Sequence, residues 1–333
     1  MQEERASAEN IYVFPNNKTE EASSLLSNEQ IVKMLDRPRG IADMVLDTDA
    51  YNEIDDQFAI AYAISAPERL RVKAFYAAPF FNERSAGPAD GMERSYSEIK
   101  KLLKLAGKEE YPVFRGSSGY LPDENTPVPS DAADDLIRLA NTYSSEKPLY
   151  VVSIGAITNV ASALLKAPGI AERIVVVWLG CHAPHWEDNF EFNVRQDVAA
   201  ARAVFDSGVP LVMLPAQGIV SNFATTGPEL EYWLRGRNPL CEYLIDHTIE
   251  AANEYAKGRV WSRVIWDVTG IGWLMNDEGK QLMRDKLVPR PIPEYSHHLS
   301  WDFRRPLCRM VYHINRDALF QDLFDHLAPG GRG

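Results

Sequence analysis

Long apolar runs, basic charge, cysteine and nucleotide-binding fingerprints are all scarce in this chain of 333 residues. No stretch of about 18 consecutive apolar residues occurs, so no membrane-spanning helix is expected. The opening MQEERASAENIYVF has no basic segment leading into an apolar one, and no secretory signal is expected from it. Lys plus Arg number 35 against 47 Asp plus Glu, a formal charge of -12. Such an excess repels phosphate backbones and argues against nucleic acid as a general partner. The three cysteines, Cys181, Cys241 and Cys308, are widely spaced and odd in number. They form neither a zinc pattern nor a disulfide framework, and reduced, buried thiols of a cytoplasmic protein are expected. A G-x-G-x-x-G turn and a P-loop are both missing, which argues against a nucleotide cofactor.

What is present is an ordinary globular composition, 45% hydrophobic and 25% charged. A chain this long buries a sizeable core without a disulfide or metal staple. Residues 1–38 are polar and read as an N-terminal arm, partly disordered, with a short helix in NNKTEEASSLLSNEQIVKML capped by Ser27 or Asn28. From Ile41 the pattern changes. IADMVLDTD, LRVKAFYAA, YPVFRG, KPLYVVSIG, RIVVVWLG and VPLVMLP read as strands. Between them, EIDDQFAIAYAISA, GMERSYSEIKKLLKLAG, DAADDLIRLANTYS, ITNVASALLKAP and VAAARAVFDSG read as helices.

This alternation predicts an α/β fold with a doubly wound, mostly parallel central sheet flanked by helices. Residues 228–290 read as mainly helical, and RRPLCRMVYHIN as an added strand. One domain over 39–327, with a helical and C-terminal elaboration, is expected between the arm and a flexible tail at 328–333. Ligands of such sheets bind beyond the carboxyl ends of the strands.

That rule draws attention to the segment closing the first strand. Asp47, Asp49, Glu53, Asp55 and Asp56 fall within ten residues. A helix N-terminus accounts for one acid there, since the dipole favours negative charge by about 0.3–1 kcal/mol. It does not account for the whole set. Like charges at about 4 Å repel by about 1 kcal/mol in water and by several times that inside a protein. Such a group protonates, spreads apart or holds a cation. Calcium, with its six to eight oxygen ligands, suits it.

The segment resembles the D-x-D-x-G-x-D-D motif of the inosine–uridine nucleoside hydrolases, with two extra residues before the third aspartate and no glycine. Three further stretches match that family in order. Gly155-Ala156-Ile157-Thr158-Asn159-Val160-Ala161 is similar to its G-x-L-T-N-x-A. Glu191-Phe192-Asn193 followed by Asp197 is similar to its E-F-N-x-x-x-D. Asp267 in VIWDVTG is similar to the aspartate of its H-D-P. The resemblance spans about residues 40–275.

It implies calcium-dependent hydrolysis of the N-glycosidic bond of a ribonucleoside or related N-riboside. It implies Asp49, Asp56, Asp267 and the backbone carbonyl of Ile154 as calcium ligands, with Asp49 also the general base. Asp55, Glu191 and Asn193 would bind ribose hydroxyls, Asn52 would add a sugar contact, and Asp47 would ligate indirectly or orient Asp49. A homodimer or homotetramer is implied as well. The chain departs from the family at Trp266, where many members carry the histidine that protonates the leaving base. His182 and His185 in CHAPHWEDNF are the alternative donors, and Trp186, Trp261 and Trp266 are candidates to stack on the base.

Two rival readings remain at this point. One is a ribosyl-ligand binding protein on the same fold with weak or no turnover. The other is a phosphatase of the haloacid dehalogenase type, which also places D-x-D after a first strand.

Overall fold

The computed structural model describes residues 26–330. Four of the apolar runs become strands buried at every position, being short and rich in Val, Ile and Leu, while YPVFRG gives a partly exposed strand at the sheet edge. Among the described residues twelve strands form: β1 (Ala42–Thr48), β2 (Leu70–Ala77), β3 (Val113–Arg115), β4 (Leu149–Ser153), β5 (Ile174–Leu179), β6 (Leu211–Leu214), β7 (Ala224–Thr225), β8 (Arg263–Val264), β9 (Met283–Pro289), β10 (Ile292–Pro293), β11 (Leu299–Ser300) and β12 (Leu307–Ile314). Eight of them make one sheet in the order β3-β2-β1-β4-β5-β6-β12-β9. Its neighbours pair in parallel except β12 and β9, which are antiparallel. β7 with β8 and β10 with β11 form two small antiparallel ribbons. The expected doubly wound, mostly parallel sheet is therefore the fold.

Successive side chains of the strands serve opposite layers. Met44 and Leu46 pack in one apolar cluster with Phe58, Val152 and Trp273. Val45 packs in the other with Val151, Val176 and Phe205. The helix Val268–Met275 lies close against the sheet because Gly270 has no side chain: a Cβ there would sit 2.8 Å from Val152 Cγ1. That close approach brings Asp267, at the helix start, over the strand ends.

One expectation changes. Residues 283–289, read as part of a helical stretch, are the edge strand β9. Only Met283 of that strand is fully buried, so its own pattern carries no period. The antiparallel ladder with β12 decides it. At the N-terminus the expected short helix is present. The helix Asn28–Met34 forms with Ser27 as its cap, Gln30 completing a reciprocal capping box. It buries Ile31 and Met34, and Arg309 Nε donates to Leu35 O at 2.7 Å. The chain from Leu26 onward thus packs against the sheet. The remainder of the expected arm, residues 1–25, and residues 331–333 of the expected tail lie outside the described residues.

Candidate active site

The strand order reverses between β1 and β4, and a crevice opens beyond the carboxyl ends of these neighbours. Asp47 is in register with Ser153 across that boundary. Its two oxygens accept from Ser153 Oγ and from Asn159 Nδ2, each at 2.8 Å. Burial raises its pKa to about 6 against those hydrogen bonds. Asp47 therefore ties strand ends together behind Asp49. Asn159, the amide of the T-N pair, extends the tie by accepting from Ser117 N at 2.7 Å.

The longer acidic turn is folded back by its own bonds. Asn52 N donates to Asp49 O at 2.7 Å, Gln57 Nε2 to Ala50 O at 2.8 Å, and Asn82 Nδ2 to Asn52 Oδ1 at 2.6 Å. The helix Asp56–Ser65 then starts beside the end of β1, and the Thr48 hydroxyl donates to Asp56. Asp55 and Asp267 each stand at a helix N-terminus, yet neither side chain caps its helix. Asp55 Oδ2 instead accepts from Asp267 N at 3.3 Å, which joins the two helix starts where the helix dipole favours negative charge.

The result is a knot of buried carboxylates. Oxygens of Asp55, Asp56 and Asp267 lie within 4.8 Å of one another. This trio contains Asp55, expected as a sugar contact, and not Asp49. Asp49 lies beside it, its Oδ1 close enough that a Cβ on Gly155 would approach to 2.9 Å. The glycine of the G-x-x-T-N turn is thus required by the carboxylate next to it.

Burial, then the charge of Asp56, drives the Asp49 pKa well above the carboxylate range. Burial, then the charges of Asp55 and Asp56, does the same to Asp267. Asp55 rises to about 6 through burial and the charge of Asp56. Asp56 rises to about 6 through burial, opposed by its hydrogen bonds. Two oxygens in the knot, Asp49 Oδ2 and Asp56 Oδ2, are buried with no hydrogen-bond partner. Leaving such atoms unpaired is costly. A hard divalent cation relieves both the repulsion and the missing partners, and an all-oxygen donor set suits one.

These acids form one wall of a cavity of about 410 Å³. Ile154, Trp266 and Asn52 line it beside them, and Glu191, Asn193 and His182 line it too. Glu191 begins the helix Phe192–Gln196, accepting from Asn193 N at 3.0 Å and Val194 N at 2.9 Å, and also from Cys181 N at 3.3 Å. Burial lifts its pKa to about 7 against those bonds. Asn193 Nδ2 donates to Leu179 O at 2.9 Å and Ile154 O at 3.2 Å, which leaves its Oδ1 facing other partners. Asp197 caps the next helix through Ala200 N at 2.9 Å and accepts from Thr158 Oγ1 at 2.7 Å. The T-N and E-F-N-x-x-x-D stretches are therefore fastened to each other.

Of the expected site residues, His185 and Trp186 fall outside the cavity wall. His185 is exposed, and Trp186 is 41% exposed. Trp261, with its Nε1 3.2 Å from Asn253 Oδ1, is outside as well. Glu53, Phe190, Arg195 and Gln217 line the cavity without having been singled out for it. Phe190 and Arg195 flank the E-F-N stretch, and Gln217 follows β6. The rule of the carboxyl ends, applied to every strand, finds Gln217.

Comparison with known proteins accords with this geometry. A family profile described as inosine-uridine preferring nucleoside hydrolase matches residues 44–288. The pyrimidine-specific ribonucleoside hydrolase RihA of Salmonella typhimurium is 29% identical over 245 residues, covering 67% of this chain and 77% of that protein. The purine-preferring ribonucleoside hydrolase from Gardnerella vaginalis shares the fold with a TM-score of 0.69 at 18% identity, covering 86% of this chain and 98% of that one. The type III effector protein XopQ complexed with adenosine diphosphate ribose shares it with a TM-score of 0.66 at 18% identity, covering 90% and 97%.

Proposed function

The chain belongs to the inosine-uridine preferring nucleoside hydrolase family, and from that membership we propose that it hydrolyses the N-glycosidic bond of a ribonucleoside with calcium as its metal. The observation that carries the reading is the knot of buried carboxylates with two unpartnered oxygens at the switch point of the sheet. Asp49, Asp56, Asp267 and the Ile154 carbonyl would hold the ion. Bound there, calcium supplies a grip on vicinal hydroxyls and lowers the pKa of a coordinated water.

The remaining chemistry belongs to the chain. Asp49, buried beside the acidic trio, takes the proton of the attacking water. Positive charge developing on the ribose is stabilised by the surrounding carboxylates. Glu191 and Asn193 receive sugar hydroxyls. Because the Asn193 amide hydrogens are engaged with Ile154 and Leu179, its Oδ1 acts as an acceptor. Asp55 shares the acidic trio and accepts from the diol. Asn52 adds a contact, its orientation set by Asn82. Trp266 lies against the reacting end as an apolar face for the base.

A reducing-sugar assay over a panel of nucleosides, run with calcium and after chelation, tests the reading. Sugar release that requires the ion supports it, and no release from any nucleoside overturns it. We further propose a homodimer or homotetramer by analogy with the family. Cytoplasmic residence is supported by three buried, free cysteines. No helix among the described residues is long and apolar enough to cross a membrane. Neither the idle ribosyl-ligand binder nor the phosphatase draws support from the relatives found.

A further inference from the structure

Cleaving a bond between ribose and a neutral base pushes an electron pair onto the base nitrogen, so a donor near the base lowers the barrier. On the cavity wall Asn52, Gln217 and Trp266 carry side-chain N–H groups, and Arg195 is exposed with its guanidinium over the Phe190 and Phe192 rings. Glu191 is committed to three backbone N–H groups. Glu53 is paired with Arg263. The aspartates gather around the ion site, and the Asn193 amide hydrogens are taken. His182 differs. It lines the cavity while only 8% exposed. The residue before it, Cys181, takes φ 67°, a left-handed turn that side chains rarely adopt. Beyond that turn His182 N donates to Asn189 Oδ1 at 2.8 Å.

The ring itself is read from its neighbours. Gln217 N–H points at Nδ1 at 3.3 Å. A backbone N–H can only donate, so Nδ1 is the acceptor and the proton sits on Nε2. The nearest acid to Nε2 is Asp188, at 3.9 Å, beyond hydrogen-bond reach. The rim of the same loop carries Phe190, 52% exposed, also on the cavity wall.

Resting on the nucleoside hydrolase reading, we infer that His182, as a neutral imidazole, donates a hydrogen bond from Nε2 to the departing base. The bond from the anomeric carbon to the base nitrogen breaks, and its electron pair moves onto the base. The Nε2–H steadies that developing charge. Water oxygen bonds to the anomeric carbon, its proton passes to Asp49, and the base takes its own proton from solvent. The histidine remains neutral throughout, and the Gln217 amide hydrogen at Nδ1 is what holds it so.

Uridine, inosine and 4-nitrophenyl β-D-ribofuranoside, whose leaving group needs no such help, separate the possibilities. His182→Ala should lower kcat/KM for the two nucleosides by about 100-fold while changing nitrophenyl riboside cleavage by less than about threefold. His182→Gln, which keeps an N–H donor, should recover part of the loss. Nitrogen-15 spectra of the imidazole should show the proton on Nε2. Equal losses on all three substrates, unchanged nucleoside cleavage, or a proton on Nδ1 would overturn the inference. Release of sugar from none of the three by the unsubstituted chain would overturn the N-riboside reading, and the role of His182 with it.

Discussion

The two sides of the cavity are built on opposite principles. Asp49, Asp55, Asp56 and Asp267 are buried at strand ends and helix starts, held by the packing of the central sheet. Phe190 stands largely exposed on the loop between β5 and the helix Phe192–Gln196, with Trp186 on the same loop but outside the cavity wall. The acidic side is rigid because moving any acid moves a strand or a helix. Its repulsion is then a stored demand for a cation. The aromatic side has no such anchor, and its chemistry can change without disturbing the sheet. On the proposed reading, the side that would meet the sugar is set by the fold, and the side that would meet the base by a loop.

The contrast breaks most plainly if the acidic side works without an ion. Dialysis against a chelator should abolish nucleoside cleavage, and calcium titration should restore it. Full activity in the metal-free chain would remove the ion from the account. Next in size is Asp49→Asn, which should lower kcat by about 10²–10⁴-fold while the fold, followed by circular dichroism, is kept. Turnover close to that of the unsubstituted chain would exclude Asp49 as the base.

On the aromatic side the effects should be smaller and fall on binding. Phe190→Ala should raise KM by about tenfold with little change in kcat, because stacking on a base is worth about 1–3 kcal/mol. Trp186→Ala, outside the cavity, should leave KM alone, and a larger effect than that of Phe190→Ala would reverse the assignment of the rim.

A stability measurement sharpens the comparison without substrate. The folded-state pKa of Asp47 is raised from 3.8 to about 6, and that of Glu191 from 4.5 to about 7. Between the unfolded and folded values the native chain holds protons that the unfolded chain has released. Stability is therefore full in acid and falls as pH rises through this window. Thermal unfolding of the metal-free chain should show a lower midpoint at pH 7 than at pH 5, and calcium should raise the midpoint most at the higher pH. A midpoint that climbs steadily with pH would mean that burial does not govern these carboxyls.

The sequence determined the frame. Six strands, the helices between them and the placement of Asp47 through Asp56 beyond the first strand followed from apolar runs and their interruptions. These are local patterns, and a strand buried on both faces leaves its mark within its own residues. The four motifs also named most of the acids and amides now found along the cavity. Tertiary structure alone decided the rest. β9 has almost no pattern of its own and exists because β12 offers it a ladder. His182 and His185, three residues apart, are alike in sequence, and only the left-handed turn at Cys181 and the Gln217 amide separate a cavity donor from a surface ring. The drawing of Asp55, rather than Asp49, into the trio with Asp56 and Asp267 came from two helix starts packed together, a contact between residues more than 200 positions apart. Proximity of that kind is a property of packing, and no spacing in a chain encodes it.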